Sequence, residues 1–452
     1  MGIKKIKLKN FKCYKEIELD IAKVTLLTGA NSSGKSSLLY SILGSIQSRE
    51  FPFYFSPNGK YINMGDYTEI VNNHNTNETI EIEFTINEDF NEKVLTQWKI
   101  DKLRDLPELY YLEASSDFYN LKIKKVRKYS LDFEYFKDKD PQKEFRSPEI
   151  LSKVLSNVSN LVNEMMIKQF GKKEKGKDRD EKKRYGSVKE KLNFRFTDLN
   201  ELKTLIKDDG NYYLDNIVSS ITNNFKSYDD NINFISSFRL YPERTYYEAS
   251  KFDLKVRKFG ENYEDQIIAW ETTKDERFKK LCEILIELGL LYSIKSKRLS
   301  GGRYEILVQI KKNGIWSSIT DVGFGISQFL PVIVADLQLK KNSTLFIAQP
   351  EIHLHPKVQA QFADYIINRI KNDNKNYIIE THSEYLINRL RLAICEERIL
   401  EDEISVIYIE NEDFETKNYK LELKKDGQII NAPDSFFDTY MLDTMNIVLN
   451  AK

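Results

Sequence analysis

The N-terminal part of the chain alternates between apolar and polar positions, which is the pattern of strands with one buried face. Residues 3–8 and 17–19 alternate in this way, and residues 79–86 do so again further on. Between them, residues 24–27 form a short apolar run that ends in a glycine-rich loop, and residues 36–43 have the apolar spacing of a helix. The pattern therefore predicts two strands, a strand–loop–helix unit and a further strand.

The C-terminal half alternates between strand-like and helix-like segments. A hairpin is predicted where residues 304–311 and 316–319 flank Asn313-Gly314, because an Asn-Gly pair favours a tight turn. Further strands are predicted at residues 344–348, 377–380, 404–409 and 419–423, and helices at residues 358–370 and from Phe329 and Ser383 onward. Strands that alternate with helices favour an α/β sheet, and the antiparallel N-terminal part makes that sheet mixed.

The middle of the chain, from about residue 145 to 235, has a helical and strongly charged pattern. Within it, residues 171–184 are nearly all Lys, Glu, Asp and Arg. Such a segment favours a solvated flexible loop, and an arm that contacts DNA is the alternative. The predicted organisation is a first α/β segment at residues 1–140, a mostly helical insertion at residues 141–235 and a second α/β segment at residues 236–452.

The composition agrees with a globular protein of two or three domains. The chain has 452 residues and a mass of 53.2 kDa, and a domain typically takes about 150 residues. Its 69 Lys and Arg residues balance 69 Asp and Glu residues, so a contact with nucleic acid or an anionic membrane would require a local patch. The sequence predicts no membrane-spanning segment and no secretory signal, and therefore a cytoplasmic protein. Cys13, Cys282 and Cys395 have the spacing of neither a disulfide framework nor a zinc site.

The glycine-rich loop after the first apolar run carries the strongest chemical signal. Residues 29–36 read Gly-Ala-Asn-Ser-Ser-Gly-Lys-Ser, which fits the phosphate-binding pattern G-x-x-x-x-G-K-[ST] between a strand and a helix. Backbone N–H groups and the positive end of the helix surround the phosphates in such a loop. Lys35 is expected to reach the outer phosphates, and Ser36 to bind Mg²⁺ through its hydroxyl. The predicted nucleotide-binding residues here are Gly29, Ala30, Asn31, Ser32, Ser33, Gly34, Lys35, Ser36 and Ser37.

A P-loop ATPase also requires a carboxylate at the end of a second apolar strand, where it holds Mg²⁺ directly or through water. The candidate strand at residues 344–348 continues with Gln349 and, two residues later, Glu351. Another strand, at residues 377–380, leads into a loop that contains His382. That histidine could contact a γ-phosphate or polarise water, and a purely structural histidine is the alternative.

Three segments of the chain resemble the ABC-type ATPase heads shared by SMC/Rad50-like proteins: LKNFKCYKEIELDIAKVTLLTGANSSGKSSLL, PEIHLHP and THS. They are similar in particular to bacterial AAA ATPases with a DUF3696-type C-terminal region, which are relatives of the ATPase parts of OLD-family and antiphage-defence proteins. The segments DVGFGISQFLPVIV and KKDGQIINAPDSFFD match that subgroup too. The resemblance covers roughly residues 1–110 and 235–452. It implies an ABC-type P-loop ATPase head with ATP and Mg²⁺ as cofactors.

The resemblance also implies a dimer in which two heads enclose ATP. The signature motif of the family, which approaches the ATP bound to the other subunit, falls on Gly323, Gly325, Ser327 and Gln328. His382 takes the position of the switch histidine, and residues 353–356 lie in the loop that crosses the dimer interface. Residues 299–302 read Leu-Ser-Gly-Gly, as a transporter signature begins, but their place before a strand favours a turn.

The sequence departs from the family where the acids of the second strand are expected. Relatives usually read Glu-Glu-Pro-Glu or Glu-Gln-Pro-Glu, whereas this chain has Ala348-Gln349-Pro350-Glu351. A methyl group cannot hold Mg²⁺, and a carboxamide cannot accept a proton from water at neutral pH. Three explanations are open: an introduced Glu→Ala substitution, a natural site in which Glu351 takes over, and a natural ATP-binding pseudo-enzyme. We therefore expect an ATPase with slow or absent hydrolysis, with Gln349, Glu351 and His382 as catalytic candidates.

Two functional classes follow from the resemblance. One is an ATP-gated scaffold that dimerises around ATP and holds or regulates a separate effector, such as a nuclease or toxin, in bacterial antiphage defence. The other is an SMC/Rad50-like ATPase that binds DNA in repair or maintenance. The scaffold is favoured because the sequence after His382 has no acidic cluster of the TOPRIM type and no HNH-type pattern, so a partner would have to supply any nucleic-acid cleavage.

Residues 238–244 include two arginines where the subgroup often has an arginine-containing segment after a strand. Arg239 or Arg244 could reach a phosphate or DNA. A surface salt bridge is the other interpretation, and the sequence alone leaves both open.

Overall fold

A computed structural model describes residues 3–48, 50–87, 91–125, 129–136, 184–192, 210–247, 255–412, 415–436 and 448–450. Its strands are β1 (Lys5–Phe11), β2 (Tyr14–Asp20), β3 (Val24–Gly29), β4 (Ile80–Asn87), β5 (Glu92–Asp101), β6 (Leu106–Ser115), β7 (Tyr119–Lys125), β8 (Tyr129–Phe136), β9 (Arg184–Leu192), β10 (Ile232–Ile235), β11 (Tyr246–Tyr247), β12 (Ser293–Leu299), β13 (Arg303–Gln309), β14 (Ser317–Ser318), β15 (Thr344–Ala348), β16 (Asn376–Glu380), β17 (Ile404–Glu412), β18 (Glu415–Leu423) and β19 (Ile429–Ile430). Its α-helices are α1 (Lys35–Gln47), α2 (Tyr67–Ile70), α3 (Gly210–Asp230), α4 (Tyr263–Thr273), α5 (Glu276–Glu287), α6 (Phe324–Gln338), α7 (Pro356–Asp373) and α8 (Glu384–Cys395). Within these ranges, no helix is both long enough and apolar enough to cross a membrane.

Three sheets organise the described residues. One is antiparallel, with the strand order β2-β1-β4-β5-β6-β7-β8-β9. The second is mixed, with the order β10-β15-β16-β3-β17-β18-β19. Its strands from β10 to β17 are parallel to their neighbours, and β18 returns antiparallel to β17. The third sheet is smaller and has the order β11-β13-β12, with β14 paired to β13.

The mixed sheet lies between two hydrophobic cores because its central strands are apolar on both faces. Leu27 and Ile378 pack into a core shared with α1, α3 and the antiparallel sheet. Their neighbours Leu26 and Ile379 pack into a second core shared with α4 to α8. Since successive residues of a strand point to opposite faces, a continuous apolar run produces this double burial. The predicted fold class, a mixed α/β sheet flanked by helices, is confirmed.

Most elements predicted around the glycine-rich loop and in the C-terminal half are present. The pattern placed six of these elements correctly, with modest differences at their ends: β3, α1, β15, α7, β16 and α8. The predicted start of one helix was wrong: α6 begins at Phe324 and not at Phe329. The turn interpretation of residues 299–302 is confirmed, since Gly301 and Gly302 have φ values of 74° and 69° between β12 and β13. The strands β5 to β8 and the helices α4 and α5 were not predicted.

Most of the predicted insertion at residues 141–235 lies outside the described residues. The charged stretch at residues 171–184 does so as well, except for Arg184, which begins β9. The described part contains the helix α3 and, against the helical pattern, the strand β9. β9 pairs antiparallel with β8, with Val188 opposite Phe133, and so extends the antiparallel sheet. The boundaries of the three predicted segments stay predictions.

Candidate nucleotide-binding site

The loop between β3 and α1 has the backbone shape that a phosphate cradle requires. Gly29 and Gly34 have φ values of 131° and 102°, a region that strongly favours glycine. A Cβ atom at Gly29 would lie 1.8 Å from the carbonyl oxygen of Ile409, because β17 pairs with β3 at this point. A Cβ atom at Gly34 would lie 2.4 Å from Cys13 Sγ. Both glycines are therefore required by their surroundings as well as by the turn.

Lys35 begins α1, and its side chain folds back over the loop. Its ammonium group donates hydrogen bonds to the carbonyl oxygens of Gly29, at 3.1 Å, and Ala30, at 2.5 Å. Burial lowers the pKa of Lys35, while the charges of Glu380 and Glu351 oppose that shift. Such an ammonium group can transfer its hydrogen bonds to phosphate oxygens, which are stronger acceptors than carbonyl groups.

The remaining loop residues also fit a phosphate group. The Ser33 hydroxyl is buried and has no hydrogen-bond partner among the described residues. Ser32 has a φ of 58°, and its carbonyl oxygen accepts a hydrogen bond from Asn411 Nδ2 at 3.1 Å. A buried hydroxyl without a partner is unfavourable, so Ser33 is suited to a polar ligand. The donor set of this loop fits a nucleotide with Mg²⁺.

The Ser36 hydroxyl contacts a carboxylate that the sequence analysis did not single out. It lies 2.8 and 3.0 Å from the two carboxylate oxygens of Glu380 and donates its proton there. Glu380 ends β16, the strand next to β3, and this places its side chain beside the first turn of α1. Its burial raises its pKa, whereas the hydrogen bond from Ser36 and the charge of Lys35 oppose that rise. A signal was present in the sequence, since Glu380 is an acid at the end of an apolar strand.

The strand β15 ends at Ala348, the position at which the family resemblance predicts the first acid. Ala348 is the direct neighbour of Glu380 in the parallel register of β15 and β16. The next residue, Gln349, has a φ of 46°, and its N–H donates to the Glu380 carbonyl oxygen at 2.7 Å. The chain thus turns sharply immediately after β15. Ala348 and Gln349 bring a methyl group and a carboxamide to this turn, where the family resemblance predicts acids.

Glu351 holds the loop that carries His382. One of its carboxylate oxygens accepts the backbone N–H of His382 at 2.6 Å, and the other accepts the Thr381 hydroxyl at 2.9 Å. Burial raises the pKa of Glu351, and these hydrogen bonds oppose the rise. Partial desolvation and the charge of Lys35 lower the pKa of His382 below its usual range. Its imidazole is therefore neutral at neutral pH, and Glu351 orients the loop that presents it.

The residues predicted for the signature motif lie at the start of α6: Gly323, Gly325, Ser327 and Gln328. A Cβ atom at Gly325 would lie 2.3 Å from the carbonyl oxygen of His353, so α6 directly contacts the loop after β15. The rings of Phe324 and His353 pack edge to face with centroids 4.8 Å apart. Gly323 is exposed, whereas Ser327 and Gln328 are buried. Contact of these residues with ATP across a dimer stays a prediction.

Arg239 joins the helix α6 to the turn after β15. Its side chain is buried, and Nη1 donates to the Gln328 carbonyl oxygen at 3.2 Å. Nη2 donates to the carbonyl oxygens of Ala348, at 2.9 Å, and Gln349, at 3.2 Å. Burial lowers the pKa of Arg239 to about 10, and the charge of Glu351 opposes that shift. The surface salt bridge considered for Arg239 was therefore wrong.

Replacing Arg239 by alanine is expected to lower the free energy of unfolding by about 2–4 kcal/mol, because buried carbonyl oxygens lose a charged donor. Arg244 is a matched control from the same segment. It is exposed and its Nη2 lies 2.5 Å from Asp321 Oδ1, which confirms the salt-bridge interpretation for this residue. Arg244→Ala should change the unfolding free energy little. Urea denaturation of both variants measures the difference, and equal losses would contradict the role given to Arg239.

Comparison with known proteins agrees with the P-loop geometry. Residues 1–387 match the family model described as AAA ATPase domain. The chain is similar to an SMC head domain from Thermotoga maritima, with 11% identity, a TM-score of 0.39 and coverage of 94% of this chain and 100% of that chain. It is also similar to an Smc head domain bound to the C-terminal domain of ScpA from Pyrococcus furiosus, with 13% identity, a TM-score of 0.38 and 99% coverage of both chains. No curated protein sequence matches the chain. Because the family match spans most of its length, the protein belongs to the AAA ATPase domain family.

Proposed function

We propose that this chain binds ATP with Mg²⁺ at the P-loop, pairs with a second copy around the nucleotide and thereby holds or regulates a separate effector protein. The observation that carries this proposal is a contrast within one site. Lys35, Ser33 and Ser36 offer groups that suit phosphate and metal contacts, whereas Ala348 and Gln349 supply no carboxylate. A head that binds ATP and hydrolyses it slowly stays in its ATP-bound state, which suits the control of an assembly.

In the proposed complex, Mg²⁺ would neutralise charge on the outer phosphates and the chain would position them. The Lys35 ammonium would exchange the carbonyl oxygens of Gly29 and Ala30 for phosphate oxygens. The Ser36 hydroxyl would be a metal ligand, and Ser33 would donate to the nucleotide. His382, neutral and exposed next to Lys35, would contact the γ-phosphate as a hydrogen-bonding group and not as a charge.

Pairing of two heads is supported by the surface around the start of α6. Gly323 is exposed at the N-terminal end of this helix, where backbone N–H groups favour an anion. Tyr241 is 72% exposed and packs against Phe324, with ring centroids 4.9 Å apart. An exposed aromatic cluster beside a helix N-terminus suits a face that closes over the nucleotide of a second copy. The motifs shared with antiphage-defence ATPases extend the proposal to a bacterial cytoplasmic defence system whose effector is a nuclease or toxin.

The Lys35→Ala variant is expected to bind ATP about 10- to 100-fold more weakly, because a charge-assisted hydrogen bond contributes about 1.5–3 kcal/mol. It should also stay monomeric with ATP under conditions in which the unchanged chain dimerises. Equilibrium titration with a fluorescent ATP analogue and mass photometry measure the two effects. Lys255→Ala is a matched control, since Lys255 Nζ also donates to backbone carbonyl oxygens, those of Asp229, Asp230 and Ile232, but away from the P-loop. If both variants bind ATP like the unchanged chain, the proposed function is wrong.

The same titrations distinguish the scaffold from an ATPase that acts on DNA. A scaffold should dimerise with ATP in the absence of DNA and should co-purify with the product of a neighbouring gene. A DNA-dependent ATPase should show turnover that rises on addition of DNA and an affinity for DNA that falls with salt. DNA-stimulated turnover without ATP-dependent dimers would favour the DNA-binding function.

A further inference from the structure

We propose that Glu380, which ends β16, supplies the carboxylate that holds Mg²⁺ beside Ser36. This inference rests on the proposed function, because it names the metal-holding residue of the same ATP site. It also reassigns a role that the sequence resemblance gives to position 348, where this chain has alanine. The metal would therefore be held from β16, which pairs with the P-loop strand β3, and not from β15 on the far side of β16.

The order of the strands makes this assignment geometrically direct. β16 lies between β15 and β3, and Glu380 is paired with Ala348 on one side and with Leu27 on the other. Its end is therefore nearer to the P-loop strand than the end of β15 is. The carboxylate reaches Ser36, the first-turn residue of α1 that is expected to ligate the metal, at 2.8 and 3.0 Å.

The hydrogen bond from Ser36 has the polarity that a metal site requires. A hydroxyl group that donates its proton to a carboxylate directs its oxygen lone pairs elsewhere, where they can bind a cation. Mg²⁺ is typically held by one or two carboxylates, phosphate oxygens and water, so one buried acid beside a hydroxyl is a sufficient protein contribution. Glu380 is only 7% exposed, and a buried carboxylate is stable there only with cationic partners. The charge of Lys35 acts on Glu380, and Mg²⁺ would be a second cation beside it.

The other acid of the site is committed to a different task. Both carboxylate oxygens of Glu351 accept hydrogen bonds from the loop of His382. One accepts the His382 backbone N–H and the other accepts the Thr381 hydroxyl. These contacts tie Glu351 to the loop of His382. Glu380, in contrast, contacts the residue that ligates the metal.

The experiment compares binding of a fluorescent ATP analogue with Mg²⁺ and with EDTA. For the unchanged chain, Mg²⁺ should strengthen binding. In Glu380→Gln, this strengthening should fall by about 10-fold or more, while the affinity in EDTA stays close to that of the unchanged chain. Glu410→Gln is a matched control, because its carboxylate is also buried and also accepts a serine hydroxyl, that of Ser435. Glu351→Gln tests the other acid and should keep the Mg²⁺ effect.

The outcomes test two claims separately: that Glu380 holds the metal, and that the P-loop binds ATP. A Mg²⁺ effect that survives in Glu380→Gln, or that is lost in Glu351→Gln instead, overturns the assignment to Glu380 but leaves ATP binding intact. An unchanged chain that binds the analogue in neither condition overturns the proposed function and this assignment with it. If Glu380→Gln does not fold, as judged by circular dichroism, Glu380→Asp takes its place. A weaker Mg²⁺ effect in that variant supports the assignment, and an undiminished one overturns it.

Discussion

The Asp336→Ala variant is expected to lose about 3–5 kcal/mol of unfolding free energy, because it leaves the ammonium group of Lys375 buried without its charge partner. The two side chains are 0% and 1% exposed, and Lys375 Nζ lies 3.2 Å from Asp336 Oδ1. Asp336 belongs to α6, and Lys375 directly precedes β16. The pair therefore connects α6 to β16, the strand that ends in Glu380.

Further polar groups complete the surroundings of this carboxylate. The Tyr377 hydroxyl donates to Asp336 at 3.0 Å, the Tyr365 hydroxyl donates as well, and Arg369 Nε lies 3.0 Å away. Burial alone would raise the pKa of Asp336, but the two cations and the two hydroxyl groups bring it below its usual range. Removal of the carboxylate would leave several buried donors without an acceptor, which is why the expected loss is large.

Urea denaturation at neutral pH measures the loss, and Asp364→Ala is the matched control. Asp364 also pairs with two cations, Arg389 and Arg398, but it is partly exposed, so its loss should be about 1 kcal/mol. Because the folded pKa of Asp336 is lowered, its stabilisation is fully present above the usual aspartate pKa of about 3.9 and disappears as the pH falls through the folded value. The stability difference between the unchanged chain and Asp336→Ala should therefore shrink at acidic pH. Similar losses in the two variants at neutral pH would contradict the network.

The P-loop could be predicted from the sequence because its chemistry is local. Gly29, Gly34, Lys35 and Ser36 are close in the chain, and the spacing of glycine, lysine and serine is sufficient to indicate phosphate binding. Long apolar runs such as those of β15 and β16 were also recognised, since both faces of a central strand are buried. These features depend on few contacts with distant parts of the chain.

The contact between Glu380 and Ser36 could not be predicted because it depends on the order of strands in the sheet. An acid at the end of an apolar strand is visible in the sequence, but its distance from Ser36 follows from the pairing of β16 with β3. Arg239 is a similar case, because nothing local distinguishes this buried arginine from the exposed Arg244. Contacts between residues that are distant in sequence determine both roles.

The antiparallel sheet shows a different limitation of the pattern. Val94, Thr96 and Trp98 of β5 alternate with less buried residues, so a period of two was present in the sequence. The strand was missed because its outward positions carry a mixture of Leu, Gln and Lys, which weakens the contrast between its faces. β9 is harder still, since its Lys and Glu residues suit an exposed helix equally well. Its pairing with β8 determines that this segment is a strand.

The Ala348→Glu variant is expected to release phosphate about 10²- to 10⁴-fold faster than the unchanged chain, which is the usual contribution of a positioned general base. The resemblance gives position 348 the metal-holding role, but with Glu380 beside Ser36 a new carboxylate there would be free to activate water. The new carboxylate would lie at the end of β15, beside Glu380 in the strand register. The present chain has an acid next to Ser36 but alanine at position 348, so we expect it to hold the metal and to activate water poorly. Phosphate release is measured with MgATP at protein concentrations at which the heads dimerise.

Ala348→Gln is the control for this change, because it has almost the size of glutamate but cannot accept a proton. A gain in Ala348→Glu alone would assign water activation to the carboxylate, and an equal gain in both would assign it to side-chain size. If the unchanged chain already turns over at the rate of Ala348→Glu, Glu351 or another acid carries hydrolysis and the water-activating role expected here for an acid at position 348 is wrong. The double variant with Glu380→Gln separates the two acids further. If Glu380 holds the metal and position 348 activates water, that variant should lose the Mg²⁺ effect on binding and, with it, most of the gained turnover.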